Sequence, residues 1–212
     1  MRTNLTQTFS LLRDRADALQ PEVRDLADGV LQAEPRLLTA LDRLVAAVPS
    51  GVAKIRVHGD YHLGQVLWNE GDFFILDFEG EPARSMAERR ARQSPFKDVA
   101  GMLRSFGYAA QARLLAWIER EPEKGRRLAP WATFWESAAT DVFLQSYRAA
   151  ANAAVFIPPT PEGVMALVRL FLFEKAVYEL RYELNNRPDW LRIPLTGLQS
   201  ILSATEPLPP SH

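Results

Sequence analysis

An α+β chain, predominantly helical with one inserted β-hairpin, is predicted by three features of the 212-residue sequence. Apolar residues recur at every third or fourth position towards both ends, alternation replaces that period between residues 54 and 78, and prolines mark the joints. Leu5, Phe9, Leu12, Ala16 and Leu19 form the stripe of a first amphipathic helix. Pro21 suits the first helical position ahead of Val23, Leu26, Ala27 and Val30, and Pro35 restarts a helix through Leu38, Leu41, Leu44 and Val48 that Pro49, Ser50 and Gly51 end.

From there Ile55 and Val57 alternate with Lys54 and Arg56, which predicts a strand. The apolar runs Val66 to Trp68 and Phe73 to Phe78 flank Asn69-Glu70-Gly71-Asp72 and predict a hairpin. Residues 79–95 are charged, lack a period and contain Pro82 and Pro95, so a long ordered loop is expected there. Helical patterns resume at Val99, Leu103 and Phe106, again from Trp131 to Val142, and in a longer run from Val164 to Leu180 behind Pro158, Pro159 and Pro161. A short helix from Thr196 to Leu202 precedes a tail, 207–212, expected to be disordered. One domain over 1–206 is expected, with helices in 1–50, a loop and hairpin in 54–78, and a helical part in 96–203.

Composition excludes several classes. A net charge of -1 with scattered arginines leaves no basic stripe for a nucleic acid. The absence of cysteine rules out disulfides and thiolate zinc sites, and His58, His62 and His212 do not form a zinc triad. No apolar run approaches the roughly 18 residues of a membrane span, and Met1 to Ser10 lacks a signal-like apolar core, so a cytoplasmic protein is expected.

Two acids and an amide gather around the predicted hairpin. The string His58-Gly59-Asp60-Tyr61-His62-Leu63-Gly64-Gln65 runs from one strand to the next, and Leu76-Asp77-Phe78-Glu79 follows on the second arm. Phosphoryl transfer needs a carboxylate to orient an acceptor hydroxyl and take its proton, and oxygen ligands to hold magnesium on nucleotide phosphates. Asp60 suits the first task and Gln65 with Asp77 the second. Alone, an Asp after Gly is an ordinary turn former, and the combination is what points to chemistry. His58 reads as a residue that shapes the loop, and His62 equally as a loop former or a functional contact.

The His58-Gly59-Asp60 string with its amide at Gln65, followed by Leu76-Asp77-Phe78, resembles the catalytic and metal-binding loops of the aminoglycoside-phosphotransferase-like kinases. His58 to Leu67 (HGDYHLGQVL), Leu76 to Pro82 (LDFEGEP), Ser94 to Ser105 (SPFKDVAGMLRS) and Glu174 to Leu195 (EKAVYELRYELNNRPDWLRIPL) together resemble the maltokinases, particularly those fused behind a trehalose synthase. The resemblance runs over essentially the whole chain. It implies the larger, carboxy-terminal lobe of a protein-kinase-like fold, ATP as donor, and phosphorylation of maltose at its anomeric hydroxyl to maltose 1-phosphate. It further implies that Asp60 is the catalytic base and that Gln65 and Asp77 bind Mg2+. Gln65 stands where the wider superfamily has asparagine, and Glu79 where Asp-Phe-Gly has glycine. Asp98 matches an acid that anchors the catalytic loop, its other reading being a simple helix N-terminal acid.

Tyr178, Glu179, Tyr182, Glu183, Arg187 and Trp190 fall on one face and the exit of the long helix. Sugars are held by stacking on aromatic rings and by paired hydrogen bonds, and this set offers both. Tyr178 also reads as core, and the resemblance favours Tyr182, Glu183, Arg187 and Trp190, with His62, as substrate contacts. None of the four lysines stands in a Val-Ala-x-Lys strand, and no phosphate-covering loop precedes Asp60, so the partners implied include a missing amino-terminal lobe and a trehalose synthase domain in a fusion. A non-catalytic sugar-binding module, or a kinase for an aminoglycoside or choline, are the competing readings.

Overall fold

The computed structural model describes residues 1–80, 85–152 and 154–205. The expected disordered tail, 207–212, and Pro82 lie outside the described residues. The chain divides into two compact units, one of Met1–Val48 with Met165–His212 and the other of Pro49–Val164. It is predominantly helical with one two-stranded sheet.

The first unit is built from α1 (Arg2–Arg15), α2 (Pro21–Gln32), α3 (Glu34–Ala46), the later turns of α7 (Pro161–Asn186) and α8 (Arg192–Thr205). Pro21 and Pro35 occupy first-turn positions of α2 and α3, where a missing N–H costs nothing. The stripe of α1, Leu5, Phe9 and Leu12, is fully buried with Leu37 and Leu41 of α3, Phe173, Leu180 and Leu184 of α7, and Leu195 and Leu198 of α8. Arg15 donates from Nη1 to the Leu184 carbonyl and from Nη2 to Asn185 Oδ1 at 3.0 Å, giving a partner to one of the last, intrahelically unbonded carbonyls of α7. The final helix begins at Arg192 rather than Thr196, preceded by a 3₁₀ turn over Pro188–Trp190.

The second unit holds β1 (Val66–Asn69), β2 (Asp72–Ile75), the short α4 (Met86–Arg90), α5 (Phe96–Arg120) and α6 (Pro122–Ala150). β1 and β2 pair antiparallel with Val66 opposite Ile75 and Asn69 opposite Asp72. Glu70 and Gly71, with φ of 49° and 93°, make the two-residue turn, a pair of left-handed positions that matches the strand twist.

The second unit departs from the sequence pattern in several places. Residues 54–57 do not form a strand: Ile55 makes one isolated bridge, exchanging both main-chain hydrogen bonds with Gln93 at 2.9 Å, because no second strand lies beside it. The second hairpin arm ends at Ile75 rather than Phe78, since Asp77 takes a left-handed φ of 54° that extended pairing does not admit. The stretch expected to be loop contains α4, started by a capping box in which Ser85 Oγ accepts from Glu88 N and Glu88 Oε2 accepts from Ser85 N. α6 also starts well before Trp131 and runs through Pro130. Phe106 of α5 packs edge-on against Trp135 and Phe143 of α6.

No helix among the described residues is long and apolar enough to cross a membrane. Phe9, with no exposed surface, sits at the centre of the first unit's core. Phe9→Ala is expected to lower stability by about 3–5 kcal/mol. A urea titration that found less than about 1 kcal/mol would remove Phe9 from the core.

Candidate active site

The loop from His58 to Gln65 is shaped by the first turns of α5. Asp98 accepts the N–H of His58 on Oδ2 at 2.6 Å and that of Gly59 on Oδ1 at 2.8 Å, so one carboxylate holds two successive main-chain groups. His58 is buried, and its ring contacts Tyr61 and Phe78. Its Nδ1 accepts from Asp60 N at 3.3 Å, which places the imidazole proton on Nε2, donating to the Leu76 carbonyl at 2.5 Å. One histidine thus ties the loop before β1 to the chain leaving β2.

Asp60 lies in the bend so formed, half-buried. His62 Nδ1 accepts from Gly64 N at 3.0 Å, leaving the proton on Nε2, which lies 3.9 Å from Asp60 Oδ2. A 3₁₀ turn over Leu63–Gln65 follows, and Leu76 N donates to the Gln65 carbonyl at 2.9 Å, extending the hairpin ladder by one step. That register brings Gln65 opposite Leu76 and hence beside Asp77. Gln65 is half-buried and Asp77 exposed. Their amide and carboxylate oxygens are hard donors of the kind that could hold a small divalent cation. Among the described residues no group of three His, Cys, Asp or Glu side chains forms a closed metal cage.

Burial dominates the electrostatics around Asp98. Its carboxyl titrates above the ordinary value of 3.8 because burial disfavours the charge more than the Gly59 and His58 hydrogen bonds, with His58 and Lys97 nearby, favour it. Tyr61 and Tyr147 are both raised, first by burial and then by the negative charge of Asp98.

The aromatic and charged residues of α7 form a second constellation within the first unit. Arg187 donates from Nε to Glu183 Oε2 at 2.9 Å and from Nη2 to Oε1 at 2.7 Å, a bidentate pair over a buried carboxylate. The same guanidinium lies over the rings of Tyr182 at 5.3 Å and Trp190 at 4.8 Å. Tyr178 stacks on Tyr182, and Lys175 Nζ lies over Tyr178 at 4.8 Å. Tyr182, Glu183, Arg187 and Trp190 are therefore brought together, with Glu183 engaged as the anchor of Arg187 and the rings of Tyr182 and Trp190 at least partly open to solvent.

Residues 2–134 match the profile of the phosphotransferase enzyme family, APH. The chain belongs to that family. Among curated relatives of this phosphotransferase is the glucosamine kinase of Streptacidiphilus jiangxiensis, 28% identical over 153 residues that cover 72% of this chain and 33% of the relative. The glucosamine kinase of Mycolicibacterium smegmatis is 28% identical over 159 residues, covering 72% and 36%. The fold matches that of a solved glucosamine kinase in complex with glucosamine, ADP and inorganic phosphate, with a TM-score of 0.67 at 23% identity over 93% of this chain and 44% of that one. A second crystal form of a glucosamine kinase gives a TM-score of 0.67 at 24% identity, covering 94% and 46%. The phosphotransferase chain thus spans between a third and just under half of the length of these relatives.

The loop contacts made by Gly101 and Ser105 were not anticipated from the sequence of the phosphotransferase. A glycine inside a strongly helical pattern, three residues after Asp98, was the available signal. For Asp98, a raised folded-state value means that between pH 3.8 and that value the folded chain binds more protons than the unfolded one, so stability falls as pH rises through the window. Asp98→Asn removes the ionisation and leaves one of the two N–H groups without its acceptor. Denaturation at a series of pH values is expected to show a shallower fall for the variant above pH 3.8, and parallel profiles would refute the assignment.

Proposed function

We propose that this chain supplies the acceptor side of a sugar kinase that transfers a phosphoryl group from ATP to maltose. The reading rests chiefly on one observation: the loop carrying Asp60 and the end of the hairpin carrying Asp77 are locked together through Asp98, His58 and the Leu76 carbonyl. In this reading Asp60 orients the acceptor hydroxyl and takes its proton as the new bond to phosphorus forms and the bond to ADP breaks. His62 presents its Nε2 proton towards Asp60, 3.9 Å from Oδ2. Gln65 and Asp77 would hold Mg2+, whose charge would offset that of the phosphates. An open pair of oxygens suits a cation that keeps waters and phosphate ligands around it.

The sugar is assigned to Tyr182, Arg187 and Trp190, with Glu183 fixing Arg187 from below. A second reading takes glucosamine as the acceptor, supported by the relatives that bear that name. Maltose is preferred in the first reading because the rings of Tyr182 and Trp190 and the guanidinium of Arg187 offer stacking faces and hydrogen-bond donors to a neutral sugar. A preference for maltose over trehalose is also expected, because trehalose has no free anomeric hydroxyl to phosphorylate.

The proposed partners are the remaining length of such a kinase, bearing the nucleotide clamp, and a trehalose synthase domain. Large apolar side chains exposed on the hairpin, among them Leu67, Trp68, Phe73 and Phe74, support a covering lobe. The chain by itself should transfer phosphate well below the roughly 1–100 per second of complete kinases, since positioning supplies most of the catalysis. Asp60→Asn should remove a further factor of about 10²–10⁴ while leaving sugar binding intact. A product assay in which the variant equals the parent, with maltose still bound, would establish the non-catalytic sugar module instead.

Trp190→Ala provides a separate test of the acceptor surface. Loss of a stacking face is expected to weaken maltose binding by about 1–3 kcal/mol in calorimetry. A truncated core tryptophan would instead cost about 3–5 kcal/mol of folding stability. Unchanged maltose affinity with a lowered melting temperature would make Trp190 a packing residue.

A further inference from the structure

We infer that Gly101 and Ser105 are positioning residues that fix the Asp60 loop, through its main chain, on one face of α5; the inference rests on the proposed role of Asp60. Positions 98, 101 and 105 are three and four apart and so lie along one stripe of the helix. Each meets a main-chain group of the loop. Asp98 takes the N–H groups of His58 and Gly59. Gly101 lies beneath the Tyr61 carbonyl, so close that a Cβ there would stand 2.5 Å from the oxygen. Ser105 Oγ accepts the N–H of Leu63 at 3.1 Å while donating its own proton to the Met102 carbonyl at 2.7 Å.

The contacts bracket Asp60, with residues 58 and 59 held before it and 61 and 63 after it. Because the Ser105 proton is committed to the helix, a lone pair is what the hydroxyl offers to Leu63, and its orientation is set. The two positions also differ from ordinary packing in the sign of their effects. Glycine within a 25-residue helix is unfavourable by propensity, so alanine at 101 favours α5 while colliding with the loop. A residue that mattered only for stability would not separate those two consequences.

The experiment compares the full chain with Gly101→Ala, Ser105→Ala and Ser105→Thr, reading hydrogen exchange in the peptide 58–65, melting temperature, sugar affinity and the rate of phosphate transfer. Ser105→Ala should raise exchange at the loop by about fivefold, the equivalent of one net hydrogen bond. Ser105→Thr, which keeps the hydroxyl, should restore it. Gly101→Ala should raise loop exchange at an undiminished melting temperature and lower kcat at least tenfold with sugar Kd unchanged. Loop exchange equal to the parent in both alanine variants would overturn the inference. So would a rise spread evenly over the whole chain with a lower melting temperature, which is general destabilisation. If Gly101→Ala leaves kcat unchanged while Asp60→Asn abolishes transfer, the positioning role fails and the kinase reading stands. If Asp60→Asn also leaves transfer unchanged, it is the kinase reading that has failed.

Discussion

The carboxylate of Asp98 is buried at the start of α5 and takes two successive main-chain N–H groups, and the shape of the candidate site follows from that contact. Hydrogen bonds to a charged group contribute about 1.5–3 kcal/mol each, yet the raised titration of Asp98 shows that burial outweighs them for the ionised form. What the contact secures is geometry. With His58 N and Gly59 N fixed, the His58 ring is set between Tyr61 and Phe78, and its Nε2 proton reaches the Leu76 carbonyl. Leu76 in turn pairs with Gln65 and precedes Asp77. Each link fixes the next, from the helix through the loop to the end of the hairpin.

The charged and aromatic face of α7 obeys a different constraint. Glu183 is buried at 1% exposure, and Arg187 holds its carboxylate through two hydrogen bonds. Withdrawing the guanidinium would remove both of those bonds from a buried acid. Arg187 is thereby held as a fixed wall between the rings of Tyr182 and Trp190, which lowers the ordering cost of any flat ligand that stacks there.

The helical parts were legible where local chemistry decides. Pro21 and Pro35 marked real first turns, and the Leu5, Phe9 and Leu12 stripe is the buried face of α1. α6 runs through Pro130 although an interior proline costs about 3 kcal/mol in isolation; packing such as that of Phe106 against Trp135 and Phe143 offsets it, and the apolar pattern from Trp131 to Val142 does not reveal that packing. Alternation at 54–57 read as a strand, but a strand needs a partner, and the neighbour is the single residue Gln93. The apolar run through Phe78 concealed the end of β2, which a left-handed Asp77 sets. Asp60, Gln65 and Asp77 were legible as chemical types. Their support was less so, since Tyr61 and Leu63 meet α5 through their own main-chain atoms, which every residue possesses.

Length bears on the proposed acceptor. Lys175, Tyr178 and Tyr182 lie along the later turns of α7, and Arg187 and Trp190 follow just past its end. Between Lys175 and Asn186 the helix advances roughly 16 Å at 1.5 Å per residue, more than one pyranose ring can cover. A single small amino sugar would use only part of such a surface. Two linked neutral rings, on the proposed reading, stack along it. On that reading, specificity for a disaccharide therefore comes from the spacing of rings along α7 and just past its end, while the buried Glu183 acts by holding Arg187 in place.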